Sequence, residues 1–212
     1  MTVRALLVDD HAVVRDGLRT VLEASKRVTV AAEAASAREG IRKAADPDVD
    51  VVVLDVSLPD MSGIEAMKLI RTARPRLPVV MFSMHADREY CVRALRAGAM
   101  GYVLKQSATE DILAAVLSGA GGRAWVSPTI AEHLVGVVVS GGDGRAPHAT
   151  LSDREFEVLR LIGGGLTPTQ IAKQLCLSVK TVSTYRTRLL EKLGLENNVQ
   201  IIKYVVDHGL GT

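Results

Sequence analysis

Long apolar runs are missing from this chain. No stretch approaches the roughly 18 uninterrupted apolar residues that a membrane span needs, and the sequence starts with a charged, strand-like segment that lacks a signal-peptide pattern. The expected location is the cytoplasm, with no membrane partner. Cysteine is scarce: Cys91 and Cys176 are the only two. Each lies in a helix-like stretch far from the other, which leaves neither a disulfide framework nor a cysteine-based zinc site and makes both packing residues. Aromatics are 3% of the 212 residues, too few for a platform that stacks single-stranded bases. A strong charge of one sign is also lacking, the formal net charge being +2. Residues 1–120 hold 16 Lys/Arg and 16 Asp/Glu, residues 121–150 two of each, and residues 151–212 eight against six. The excess is carboxy-terminal, and too small to indicate nucleic acid by itself.

What is there instead is core: 48% hydrophobic and 24% charged residues fit one large or two ordinary globular domains. Short β-branched runs alternate with longer segments of helical period, strands at Val3–Val8, Val28–Ala32, Val51–Leu54, Val79–Ser83 and Gly101–Leu104 each preceding a helix. Apolar strands without polar alternation require a sheet covered on both faces. The expected fold is α/β: a flavodoxin-like, doubly wound, five-stranded parallel sheet of order 2-1-3-4-5 over residues 1–120. Residues 121–150, rich in glycine and small polar residues, read as a linker with a short helix near 128–139 opened by Ser127. Residues 151–212 read as a separate all-α domain of four helices, near Asp153–Ile162, Pro168–Leu175, Val179–Leu193 and Asn198–His208. No internal repeat is present.

Open parallel sheets bind ligands beyond the carboxyl ends of their strands. Strand one ends in Asp9 and Asp10, strand three in Asp55, strand four in Ser83 and strand five in Lys105. Singly, each has an ordinary reading: Asp10 as a helix cap, Lys105 as a solvent-facing lysine, Ser83 as a turn residue, Asp55 in an Asx-turn before Pro59. Jointly, independent surface residues have no reason to terminate four strands at one edge. Clustered carboxylates need a cation, and hard oxygen ligands suit Mg²⁺. The chemistry such a set supports is phosphoryl transfer to Asp55 as nucleophile. Asp9 and Asp10 would hold the metal with a backbone carbonyl near Ser57, while Lys105 and the Ser83 hydroxyl would meet phosphoryl oxygens.

In the carboxy-terminal part, Thr167 and Pro168 open a short helix, Cys176-Leu177 make a tight turn, and Ser178 caps a longer helix with an apolar stripe of Val182, Leu189 and Leu193. Its opposite face carries Lys180, Ser183, Thr184, Thr187 and Arg188. Small polar residues flanked by cations suit either the solvated face of an ordinary amphipathic helix, which periodicity alone favours, or a helix in the major groove of double-stranded DNA, with Ser183, Thr184 and Thr187 at base edges and Lys180, Arg186, Arg188 and Lys192 at phosphates. Thr181 belongs to the same expected DNA-binding set. Two weaker signals fall away: Gly119–Ala124 fits a dinucleotide-binding pattern but follows a helix instead of a strand, and Gly163–Gly165 ends a helix.

Asp9-Asp10-His11, the run from Leu54 through Asp55 and Pro59 to Gly63, Ser83, and Gly101–Lys105 resemble the receiver domain of bacterial two-component response regulators. Leu151–Leu159, Ile171-Ala172, Leu177–Arg186 and Lys192–Gly194 resemble the LuxR-type helix-turn-helix domain. Together they resemble response regulators of the NarL/FixJ type. The resemblance implies phosphorylation of Asp55 by a sensor histidine kinase, Mg²⁺ as cofactor, and Ser83 and Tyr102 as a switch pair. It also implies a homodimer touching through the helix Asn198–His208, with RNA polymerase a further candidate partner. Two departures stand out. Met84 replaces the small residue many receivers have, and Gln106 replaces a proline; a bulkier gate could slow phosphoryl exchange, and the turn after Lys105 is looser. Of the competing readings, a magnesium phosphatase would carry a second acid where this chain has Ser57, and a constitutive DNA binder would not need the acidic set.

Overall fold

The computed structural model describes residues 2–84, 88–107, 109–127, 130–131 and 146–211. The chain divides into two compact units, Met1–Val135 and Gly136–Thr212. Among the described residues, no helix is long and apolar enough to cross a membrane.

The first unit holds strands β1 (Val3–Val8), β2 (Val28–Ala34), β3 (Val51–Asp55), β4 (Val79–Ser83), β5 (Gly101–Leu104) and β6 (Trp125–Val126). Helices α1 (Ala12–Ala24), α2 (Ala37–Ala44), α3 (Gly63–Ala73), α4 (Arg88–Arg96) and α5 (Thr109–Ala120) alternate with them. The sheet is parallel with order β2-β1-β3-β4-β5-β6. The expected order of five strands therefore holds, and a sixth extends it beside β5, where Gly101 pairs with Trp125 and Tyr102 with Val126. Two residues behind a glycine-rich connector carry no strand periodicity, so this stretch reads as linker in the sequence.

Strand alternation divides the core into two layers. Ala5, Leu7, Val51, Val53, Val80, Phe82 and Val103 pack with Leu18 and Leu22 of α1 and with Ile112, Ala115 and Val116 of α5. Leu6, Val8, Val52, Leu54, Met81 and Tyr102, all buried, occupy the intervening positions and face the other layer of helices. The double covering explains why the strands read as unbroken apolar runs. Cys91 is buried in α4, as its expected packing role requires.

Among the described residues, the second unit opens with a 3-10 turn, Pro147–Thr150, followed by α6 (Asp153–Gly163), α7 (Pro168–Gln174), α8 (Val179–Leu193) and α9 (Asn198–Asp207). Four side-chain caps set the helix starts. Capping boxes link Ser152 with Glu155 and Thr167 with Gln170, and the side chains of Ser178 and Asn197 accept from the N–H groups of Thr181 and Gln200. Phe156, Val158, Leu159, Ile171, Val182, Leu189, Ile201 and Val205 are buried. His148, also buried, anchors the 3-10 turn to α9: its N–H donates to the Tyr204 hydroxyl at 3.2 Å and its Nδ1 lies 3.0 Å from the same oxygen. Cys176 departs from its expected packing role, being exposed in the turn between α7 and α8 with φ of 52°. The helix expected over 128–139 is described only at Ile130 and Ala131, which are helical, with the Ser127 hydroxyl accepting from the Ile130 N–H at 3.4 Å. The rest of that segment, and His85 two residues beyond Ser83, lie outside the described residues.

Candidate functional site

At the carboxyl edge of the sheet, Asp9 follows β1, Asp55 ends β3 and Lys105 follows β5, and parallel pairing brings these ends side by side. The Lys105 ammonium bridges the two acids, donating to Asp9 Oδ2 at 2.5 Å and Asp55 Oδ2 at 2.8 Å. Asp9 and Asp55 are buried and Lys105 is half-buried, with side-chain exposures of 1%, 4% and 8% in that order. Desolvation is therefore large. Burial drives the Asp55 carboxyl up to about 6; the Lys105 ammonium pulls against this and the Asp9 charge adds to it. For Lys105, burial works against the charge, but Asp55 and Asp9 outweigh it and raise the pKa above the ordinary lysine value.

Asp10 is more open and does not cap α1: His11 holds the cap position, and its side chain makes no cap hydrogen bond. Instead Asp9 Oδ1 accepts the His11 N–H at 2.9 Å, and the His11 ring sits with Nδ1 2.8 Å from Asp10 Oδ1 and 3.3 Å from Asp9 Oδ1. One potential ligand atom from each of Asp9, Asp10, His11 and Asp55 lies within 4.8 Å of the others. This donor set, chiefly hard carboxylate oxygen with an exposed side, fits a small divalent cation such as Mg²⁺ better than a soft metal. The sequence offers no periodic signal for the contact of His11 with the acids; only its position directly after the pair points to it.

The β3–α3 loop is folded tightly onto the end of β3. Ser57 N–H donates to Asp55 Oδ1 at 3.2 Å, Ser57 and Ser62 form an antiparallel bridge, and Gly63 N–H donates to the Val56 carbonyl at 2.7 Å. A Cβ at position 63 would lie 1.8 Å from the Asp55 carbonyl oxygen, so only glycine admits this approach. Ser62 is buried and caps α3 through the Ile64 N–H. Ser83 and Tyr102 are both fully buried, on β4 and β5, and the Lys105 N–H donates to the Ser83 carbonyl at 2.8 Å. Met84 is exposed at the same edge.

In the second unit, α7, the turn at Cys176 and α8 form a helix-turn-helix. Lys180, Ser183, Thr184, Thr187 and Arg188 are exposed along one face of α8. The hydroxyls of Ser183, Thr184 and Thr187 each donate to the carbonyl four residues earlier, at 3.0, 3.0 and 3.1 Å. Their lone pairs are left facing outward as acceptors. Thr181, half-buried, bonds to the Ser178 hydroxyl at 2.8 Å. Two of the cations expected at phosphates have partners inside the unit. Lys192 donates to Glu155 at 2.6 Å and Arg186 donates to Asn198 at 2.6 Å, so both tie α8 to neighbouring elements. Burial acts to raise the Glu155 pKa, but bonds from Lys192 and Ser152 hold it below the usual carboxylate value.

An acidic edge on a six-stranded parallel sheet alternating with five helices, joined in one chain to a helix-turn-helix, defines a receiver with a DNA-binding domain. Residues 5–117 match the response regulator receiver domain, and residues 149–205 match the bacterial regulatory proteins of the luxR family. The chain belongs to the two-component response regulators with a LuxR-type DNA-binding domain, a family of transcriptional regulators and not of enzymes. It is 37% identical to the transcriptional regulatory protein MctR of Rhizobium johnstonii, over 98% of this chain and 95% of the relative. Identity to the response regulator UvrY of Escherichia coli K12 is 32%, with the same coverage of 98% and 95%. A solved structure of RcsB from Salmonella enterica serovar Typhimurium, bound to promoter rprA with phosphomimetic BeF3⁻, is similar at 30% identity and a TM-score of 0.66. That likeness covers 97% of this chain and 99% of the other.

Proposed function

We propose that Asp55 is the phosphoacceptor of a cytoplasmic regulator and that its phosphorylation controls dimerisation and promoter binding. The observation that carries this reading is the buried convergence of Asp9, Asp55 and Lys105 at one sheet edge. A buried acid pair sharing one ammonium is costly to maintain for stability alone, and receivers of this family give it a use.

In the proposed step, an Asp55 carboxylate oxygen attacks the phosphorus of a phosphohistidine on a sensor histidine kinase. A P–O bond forms, the P–N bond breaks, and the electron pair returns to the imidazole, which takes up a proton. Mg²⁺, held by Asp9, Asp10, Asp55 and the Ser57 carbonyl, would neutralise the phosphoryl oxygens. Lys105 moves from Asp55 to a phosphoryl oxygen, and the Ser83 hydroxyl donates to another. Tyr102 follows Ser83 as the second half of the switch. The added charge of roughly −1.5 to −2 favours the closed arrangement.

The output side is read the same way. Residues 1–120 act as receiver, 121–150 as connector with Trp125–Val126 joined to the sheet, and 151–212 as DNA-binding domain. Lys180, Thr181, Ser183, Thr184, Arg186, Thr187, Arg188 and Lys192 form the DNA set, of which Lys180, Ser183, Thr184, Thr187 and Arg188 are freest to meet DNA. Val199, Ile202 and Val206 are exposed along α9 and suit a homodimer contact. Dimerisation raises the effective concentration of the second reading head without new DNA contacts.

The test is DNA binding and sedimentation on one preparation, with and without acetyl phosphate plus Mg²⁺, at fixed salt. Tighter binding with a shift to dimer is expected, and Asp55→Asn should abolish both responses. Equal binding with and without the phosphodonor would leave the helix-turn-helix and remove Asp55 from control of DNA binding.

A further inference from the structure

The tip of the β3–α3 loop, Pro59 to Met61, stands away from the bonds that close the base of the loop. It is held by Asp60. One carboxylate oxygen accepts the Ala37 N–H at 2.9 Å and the other accepts the Arg38 N–H at 2.8 Å, both at the start of α2. The first N–H groups of a helix have no partner within the helix. Ser36 already caps this one locally through the Glu39 N–H at 3.3 Å. Asp60 is thus a second cap, delivered from a loop 22 residues further along the chain.

Helix α2 is in turn seated on the strand that leads into the acidic pair. At Gly40 a Cβ would meet the Val8 methyl carbons at 2.9 Å, so the helix backbone rests directly on Val8, one residue before Asp9. The Asp9 N–H completes the connection by donating to the Ala34 carbonyl at 3.1 Å, at the end of β2 from which α2 departs. Asp55 with its loop and Asp9 with its strand, linked across the site through Lys105 and the sheet, therefore share a second support on their outer side.

We propose that Asp60 is a positioning residue for the acidic site, its carboxylate clamping the β3–α3 loop to the N-terminus of α2 so that Asp55 and the Ser57 carbonyl stay aligned with Asp9 and Asp10. The inference rests on the proposed phosphoacceptor reading and names a residue that touches neither metal nor phosphoryl group. Outer-shell partners of metal ligands typically contribute about 10- to 100-fold in metal affinity, and Asp60, one step further out, belongs at the low end.

Three single variants of the full chain and one double variant test it. Asp60→Ala removes both acceptors, and Asp60→Asn keeps one. Ala37→Pro deletes one donor from the α2 side, at the first helical position, where proline is tolerated. Mg²⁺ affinity is measured calorimetrically, and phosphoryl uptake from acetyl phosphate by intact mass as a function of Mg²⁺. Expected are a Mg²⁺ affinity weakened about tenfold in Asp60→Ala, an intermediate value in Asp60→Asn, and a rate at saturating Mg²⁺ that changes much less. Ala37→Pro should also weaken Mg²⁺, and the double variant Asp60→Ala/Ala37→Pro should be no worse than Asp60→Ala alone. Wild-type Mg²⁺ affinity in Asp60→Ala, whatever its melting temperature, would reduce Asp60 to an ordinary cap and overturn the proposal. Failure of the wild type to take up phosphoryl would overturn the phosphoacceptor reading instead, while the Mg²⁺ affinities still decide the role of Asp60.

Discussion

Asp55 and Thr187 are both polar residues on regular elements, yet one is sealed in and the other stands in water. Asp55 has 4% of its side chain exposed and shares an ammonium with an acid 46 residues away in sequence. Thr187 lies on an exposed helix face and bonds to the carbonyl one turn back. The acidic edge is assembled from distant segments and stores charge at the cost of desolvation. The face of α8 comes from one contiguous helix and carries almost no folding burden. Substitutions at the first should move stability and function together, whereas substitutions at the second should move function alone.

The largest effect that would break this contrast is at Lys105. Lys105→Ala leaves Asp9 and Asp55 buried without their cation and should cost about 3–5 kcal/mol, read by urea unfolding at neutral pH without metal. Added Mg²⁺ should recover part of the loss. An unchanged midpoint would show that the pair is not held as described.

Asp55→Asn should act in the opposite direction. The folded pKa of about 6 stands above the ordinary 3.8, so the contribution of this group to stability is complete below 3.8 and is lost as pH rises through about 6. Asparagine never incurs that loss. The variant should be more stable than wild type by about 1–3 kcal/mol at pH 8 without Mg²⁺, with the difference shrinking toward pH 5.

At Glu155 the expected change is smaller and confined to the second unit. Glu155→Ala removes half of the capping box and the partner of Lys192, costing about 1–2 kcal/mol. Because the Glu155 pKa is lowered on folding, its contribution is present above the unfolded value and lost as pH falls through the folded one. The acid limb of unfolding should flatten for this unit, while Mg²⁺ binding by the receiver stays unchanged.

Smallest in stability, and sharpest as a test of the contrast, is Arg188→Ala. The melting temperature should hold, while DNA affinity falls about equally across sequences and the salt slope drops by about 1. Lys192→Ala should differ from it by also destabilising α8 against α6, since Lys192 is bonded to Glu155.

How far each of these surfaces could be read in the sequence follows from the same contrast. The strand ends were legible because a doubly covered sheet forces unbroken apolar runs, and Asp9, Asp55, Ser83 and Lys105 stand where those runs stop. The helix starts at Thr167 and Ser178 were legible because each of these residues caps within three residues of itself. What escaped depends on contacts distant along the chain. Asp60 reaches α2, Lys192 reaches Glu155 and His148 reaches Tyr204 across 56 residues, and no local periodicity encodes any of them. Cys176 escaped for another reason: its left-handed backbone in a tight turn overrides the packing preference of the side chain. Trp125 and Val126 escaped because two residues are too few to show a period.

That last strand makes the protein its own optical probe. Trp125 is the chain's single tryptophan; it pairs with β5 one residue before Tyr102 is matched to Val126 and packs against the core only partly buried. Tryptophan emission, excited selectively over the four tyrosines, thus originates from one place, at the flank of the strand whose aromatic is the proposed switch partner. A change in the setting of β5 should register in its wavelength and quenching without a label, while unfolding confined to the helical unit, which has no tryptophan, should leave the signal still.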